Sequence, residues 1–132
     1  MKRKYDPGFA PPAPMIDVAL GAGRGAAMRT ARAKIDSGAD LCAVPRDLVE
    51  PAGLHPERMV RAAGFLGDLT EVPVYRMDLE VDGRRLDGVE ALVTRRPYVI
   101  LGRNVLRHFV ARLDGPAETL TLTRPRPRSG RR

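Results

Sequence analysis

The sequence contains no tryptophan, a single cysteine, and only three phenylalanines and three tyrosines in 132 residues. Aliphatic side chains must therefore fill the core. Cys42 has no second cysteine to pair with, which argues against a disulfide-stapled secreted scaffold and for a reducing, cytoplasmic setting. No apolar run approaches the roughly 18 residues of a membrane-spanning helix. The opening MKRKYDPGFAPPAP is basic but has no apolar stretch behind it, so it does not read as a signal peptide. His55 and His108 lie far apart, with no cysteine or acidic residue at ligand spacing. No metal and no cofactor are expected.

A surplus of charge is present, but it is concentrated at the ends. The formal net charge is +7. Lys2, Arg3 and Lys4 stand at one end, and Arg124, Arg126, Arg128, Arg131 and Arg132 at the other. These are eight of the 23 basic residues, offset by Asp6 alone, and what remains from Pro7 to Thr123 is 15 basic and 15 acidic residues. The centre of the chain therefore has no net positive field for a nucleic acid. The reading is one domain over residues 15–123 between two Pro- and Arg-rich tails, 1–14 and 124–132. Both tails are expected to be disordered and dispensable for folding, with at most a weak, salt-sensitive contact to nucleic acid.

Between the tails, short alternating runs follow one another with turn signals between them. MIDVALG (Met15–Gly21), MRTARAKID (Met28–Asp36) and LCAVP (Leu41–Pro45) read as strands, and RDLVEPAG as one or two helical turns. Arg58–Gly83 reads as a hairpin with its tip at Gly64, Phe65, Leu66 and Gly67. Its second arm alternates, with Tyr75, Met77, Leu79 and Val81 on one face and Arg76, Asp78, Glu80 and Asp82 on the other. Asp82-Gly83 is a hairpin turn leading into RRLDGVEALVT. The fully apolar YVILG (Tyr98–Gly102) reads as a central strand, RNVLRHF as a short helix, and FVARLDG with ETLTLT as a closing hairpin. The expected fold class is all-β: a small closed barrel with one short C-terminal helix.

Two stretches carry chemistry. In KIDSGADLCAVP (Lys34–Pro45) an aspartate emerges from a strand into Ser-Gly-Ala and returns to apolar residues. By itself Asp-Ser-Gly is turn chemistry. Between two buried strands, however, Asp36 sits near the centre of the domain, where a lone carboxylate needs hydrogen bonds or a partner. About 65 residues later VILGRNVL (Val99–Leu106) runs from an apolar strand into Arg103, whose guanidinium can fork onto Asp40.

Together the two motifs resemble those of the retropepsins, the retroviral-type aspartic proteases. Ile35-Asp36-Ser37-Gly38-Ala39-Asp40 matches the active-site motif, and Ile100-Leu101-Gly102-Arg103-Asn104-Val105-Leu106 matches the second. The resemblance spans Met15 to Leu122. It implies that Asp36 is the catalytic carboxylate and that Ser37, Gly38 and Ala39 form its loop. Ser37 and Arg103 would brace the loops and the dimer. Asp40 and Ile100 would contact substrate, and Gly64, Phe65, Leu66 and Gly67 would be the flap tip. One Asp-Ser-Gly per chain implies a homodimer acting on a peptide or protein, with ETLTL as the expected strand of the dimer sheet. The Phe65-Leu66 tip is less glycine-rich than retroviral flaps.

Other readings are weaker. GAGRGA (Gly21–Ala26) resembles a dinucleotide loop but precedes a strand-like run rather than a helix. Cys42, with no neighbouring histidine, reads as a buried structural thiol. The function class competing with a homodimeric endopeptidase is a catalytically silent dimer of the same fold that binds peptide or nucleic acid.

Overall fold

The computed structural model describes residues 1–63 and 66–128. The elements in chain order are β1 (Lys2–Lys4), β2 (Met15–Gly21), β3 (Arg29–Ile35), β4 (Cys42–Pro45), α1 (Arg46–Val49), β5 (Pro56–Ala63), β6 (Leu69–Val81), β7 (Arg84–Thr94), β8 (Val99–Leu101), α2 (Arg103–Leu106), β9 (Val110–Asp114) and β10 (Thr119–Thr123). The larger sheet runs β2-β3-β8-β4-β7-β6-β5, and a second pairing of β2 with β6 closes six of these strands into a barrel. β5 extends from the barrel as the outer arm of the β5–β6 hairpin. This is the closed, nearly all-β barrel that the alternating runs imply.

The alternation determines what lies inside. Val18 and Leu20 of β2, Val44 of β4, Leu79 and Val81 of β6, Ala91 of β7 and Val99 and Leu101 of β8 are all buried. β8, which lies between β3 and β4, is apolar throughout. Asp82 and Gly83 take φ of 50° and 73°, the left-handed pair that a two-residue hairpin of this twist requires.

Two details depart from expectation. Asp78, placed on the solvent face by strict alternation, is buried. A register shift between Met77 and Leu79 breaks the period there. Arg85 Nη2 donates to its Oδ2 at 2.8 Å and the Gly88 amide to its Oδ1 at 3.0 Å. The second departure is at the N-terminal end. Lys2–Lys4, expected as part of a disordered tail, forms a strand antiparallel to β10, with Arg3 opposite Leu120. Charge and proline content point to disorder only where the backbone has no partner. Here the outer side of β10 supplies one, and Met1 and Tyr5 pack against the core on either side. The smaller sheet is thus β1-β10-β9. Arg124–Arg128 is exposed and has no helix or strand. No helix among the described residues is long and apolar enough to cross a membrane.

Candidate active site

The order β3-β8-β4 dictates the geometry of the acidic loop. β3 runs parallel to β8, with Ile35 opposite Leu101, and β4 antiparallel on the other side, with Ala43 opposite Ile100. The connection from β3 to β4 therefore has to arch over the end of β8, just where the chain turns into α2. The arch is Asp36–Leu41. The Asp36 amide donates to the Leu101 carbonyl at 3.0 Å, and the Arg103 amide donates to the Ala39 carbonyl at 2.8 Å. The two motifs, remote in sequence, are stitched together by backbone.

Gly102 lies directly under this arch. A Cβ on it would fall 2.5 Å from the Leu41 oxygen and 2.9 Å from the Ala39 oxygen. Only glycine fits, for reasons of space rather than of φ. Gly38 has a related role, since its amide donates to Asp36 Oδ1 at 2.9 Å and a Cβ there would stand 3.2 Å from that oxygen. The bond orients the carboxylate in a turn while the rest of Asp36 stays half-exposed.

Arg103 lies across the mouth of the arch. Its Nη2 donates to the Asp40 carboxylate, and its Nη1 donates to the Ser37 carbonyl at 2.8 Å. The pairing of Arg103 with Asp40 is made within one chain. Both side chains are more than half exposed. Ser37 takes part through its carbonyl, and its hydroxyl has no hydrogen-bond partner among the described residues.

Asn104, which follows Arg103 in the second motif, ties three elements together. Its Oδ1 accepts from the Cys42 amide at 3.0 Å and its Nδ2 donates to the Glu90 carbonyl at 2.8 Å. An amide can serve both partners because it carries a donor and an acceptor. Its place at the start of a helix that ends a buried strand was the available signal. Cys42 is buried, and burial pushes its thiol up to about 11. It remains a neutral core group under ordinary conditions.

A cavity of about 490 Å³ opens beside the arch. Gly38, Ala39, Asp40 and Ile100 line it, together with Leu92 of β7 and Val60 to Ala63 of β5. The hairpin residues and Leu92 were not foreseen, because their facing depends on how β5 folds back over the barrel. At the hairpin's far end Leu66 is almost fully exposed and Gly67 has φ of 84°. Gly64 and Phe65, the rest of the expected tip, lie outside the described residues. No cluster of three or more histidine, cysteine or acidic side chains able to hold a metal occurs among the described residues.

Asp36 thus stands on an arch over the end of a central strand, an arch tied to Arg103 at the start of α2 and bordered by an open cleft. Residues 16–105 match the model of a family described as aspartyl protease. The chain belongs to that family. A search of curated protein sequences finds no match. Among solved structures, the fold is similar to the EIAV protease complexed with the inhibitor HBY-793, at 21% identity and a TM-score of 0.53 over 72% of this chain and 86% of that one. It is also similar to the foamy viral protease-reverse transcriptase in complex with an RNA/DNA hybrid, at 16% identity and a TM-score of 0.55. That match covers 72% of this chain and 12% of the longer one. These likenesses carry the fold, which is that of the retropepsins.

Proposed function

We propose that the protein is an aspartic endopeptidase whose active unit is a homodimer with Asp36 from each chain facing the other across a two-fold axis. The observation that carries this reading is the placement of Asp36: oriented by the Gly38 amide, half-exposed, and set on an arch beside an open cleft. One carboxylate cannot do the chemistry alone. Peptide hydrolysis of this class needs an ionised acid to take a proton from water while its oxygen attacks the carbonyl carbon. A protonated acid must also donate to the carbonyl oxygen. Each chain supplies one Asp-Ser-Gly, so an isologous interface supplies the pair.

In this reading Arg103 fixes the arch, Asp40 and Ile100 flank the bound peptide, and the β5–β6 hairpin closes over it as a flap. The substrate is an extended peptide or an unfolded segment of a protein. The EIAV neighbour, solved with an inhibitor, supports a cleft that holds a ligand in that protein.

The test is cleavage of a mixed peptide library by wild type and Asp36→Asn, across pH. Wild type should cleave with a bell-shaped profile on the acid side of neutrality, the two limbs belonging to the carboxyl pair. Asp36→Asn should remain dimeric and be inactive. Equal cleavage by both would point to another nucleophile, and cleavage by neither would favour the binding module.

A further inference from the structure

Lys34 lies two residues before Asp36 and, in the parallel pairing of β3 with β8, directly opposite Ile100. Ala33 and Ile35 on one strand, and Val99 and Leu101 on the other, are buried in the barrel. Successive side chains of a strand point to opposite faces. Lys34 and Ile100 therefore share the outer face, where Ile100 borders the cleft.

The N-terminal lead packs against this face. Arg32 Nη2 donates to Asp6 Oδ2 at 2.8 Å, and the Ile35 amide donates to the Pro14 carbonyl at 3.0 Å. Phe9 and Tyr98 meet edge to face, with ring centres 5.5 Å apart at an angle of 73°. Lys34 Nζ lies over both rings, 5.6 Å from the centre of Phe9 and 5.8 Å from that of Tyr98. Cation–π attraction at these distances seats the ammonium. Phe9 lies outside residues 16–105, the stretch that matches the family, so half of the seat comes from this chain's own lead.

The rings hold the charge without neutralising it. Lys34 enters no ion pair among the described residues. The charged residues that line the cavity itself are Asp40 and Arg61. Asp40 is taken by Arg103, and Arg61 is exposed and enters no ion pair among the described residues either. The uncompensated charge along this wall is thus positive and complementary to an acidic ligand. A lysine waving in solvent would lose rotamer freedom on binding one. Lys34 is half-buried and already held, so that cost is reduced.

We infer that Lys34 is a specificity-determining residue, whose ammonium, seated by Phe9 and Tyr98, selects peptides with a glutamate or aspartate close to the scissile bond. The inference rests on the peptidase reading of the cleft and adds its substrate class, acidic peptides.

The test is kcat/KM on paired peptides that differ only in glutamate against glutamine at each position around the scissile bond. It is run at about pH 6, where a glutamate side chain is ionised. Wild type should favour the glutamate member about tenfold at one position, the scale of a hydrogen bond to a charged group. Lys34→Met keeps an apolar stem between the rings and should bring the ratio to about one. Lys34→Glu should turn the preference toward lysine, and Phe9→Ala should lower the ratio part of the way. Equal cleavage of both members by wild type would overturn the role of Lys34 and leave the peptidase standing. A preference that survives Lys34→Met but is lost in Arg61→Gln would overturn it as well. If wild type cleaves no peptide, the peptidase reading falls, and binding of the same pairs by fluorescence anisotropy decides for Lys34. Tighter binding of the glutamate member by wild type but not by Lys34→Met would support the acidic preference, and equal binding would overturn it.

Discussion

The Leu41 carbonyl lies so close over Gly102 that a methyl group on that glycine would meet its oxygen at 2.5 Å. The obstacle is backbone on both sides, the Asp36–Leu41 arch above and the exit of β8 below. Neither can rotate away like a side chain. Gly102→Ala should therefore destabilise by about 1–3 kcal/mol, the usual range for overpacking. It should also lift the arch and separate Asp36 from the support that β8 gives it. Denaturant titration and peptide cleavage check this together. Unchanged stability with unchanged activity would mean that the arch is not seated on Gly102.

Arg103 poses a different balance. Its side chain and that of Asp40 are 53% and 84% exposed, so the ion pair itself contributes about 0–1 kcal/mol. The second bond, to the Ser37 carbonyl, holds the arch rather than the barrel. Arg103→Ala should thus leave the melting temperature of the folded chain nearly unchanged. The cleavage rate should fall about 10–100-fold, the scale on which small misplacements act. Arg103→Lys keeps the charge but loses the fork, and should recover only part of the rate. A large drop in chain stability would mean that the pair is far better shielded than the exposed geometry implies.

Asp78 provides a pH-dependent test of the fold independent of catalysis. The Arg85 guanidinium, and after it the Gly88 amide, hold its carboxyl below the usual aspartate range. A carboxyl depressed in the folded state stabilises above its unfolded value and loses that contribution as pH falls through the folded one. Asp78→Asn should therefore lower stability near neutrality, where it removes the charge that pairs with Arg85. The gap from wild type should narrow below about pH 4. Chemical denaturation of both proteins at neutral and acid pH measures it, and a gap independent of pH would rule out the ionised pair.

How far the sequence reached is clearest at particular residues. Met15–Gly21 and Arg84–Thr94 form strands with the very limits read from the sequence. Ile35–Asp40 and Ile100–Leu106 are recognisable as partners through their joint resemblance to the two motifs of the retropepsins. Their juxtaposition by way of Gly102 was not legible, since it follows from β8 lying between β3 and β4, a matter of topology. Asp78 escaped the alternation because a bulge shifts the period by one residue and no local residue type announces it. Lys2–Lys4 escaped because its order comes entirely from β10, more than a hundred residues away.

That last case yields a prediction opposite to the one composition suggests. β1 offers three exposed side chains and nothing to bury, so its own residues contribute little by hydrophobic transfer. What it does contribute is backbone pairing along Thr119–Thr121, and it holds Met1 and Tyr5 against the core. The Leu122 amide donates to the Met1 carbonyl at 2.9 Å and the Tyr5 amide to the Glu118 carbonyl at 2.7 Å, so the contact extends past both ends of the strand. Removing residues 1–5 would leave these groups of β10 to water and uncover Leu120 and Leu122, both wholly buried. The truncated chain should fold, since the six-stranded barrel does not include β1, but with a loss of about 1–3 kcal/mol. Removing residues 124–132 should change the denaturation midpoint little, because Arg124–Arg128 is exposed and pairs with no strand. Urea titrations of the two truncations side by side decide the matter. Equal, negligible losses would return the N-terminal residues to the status of a free tail.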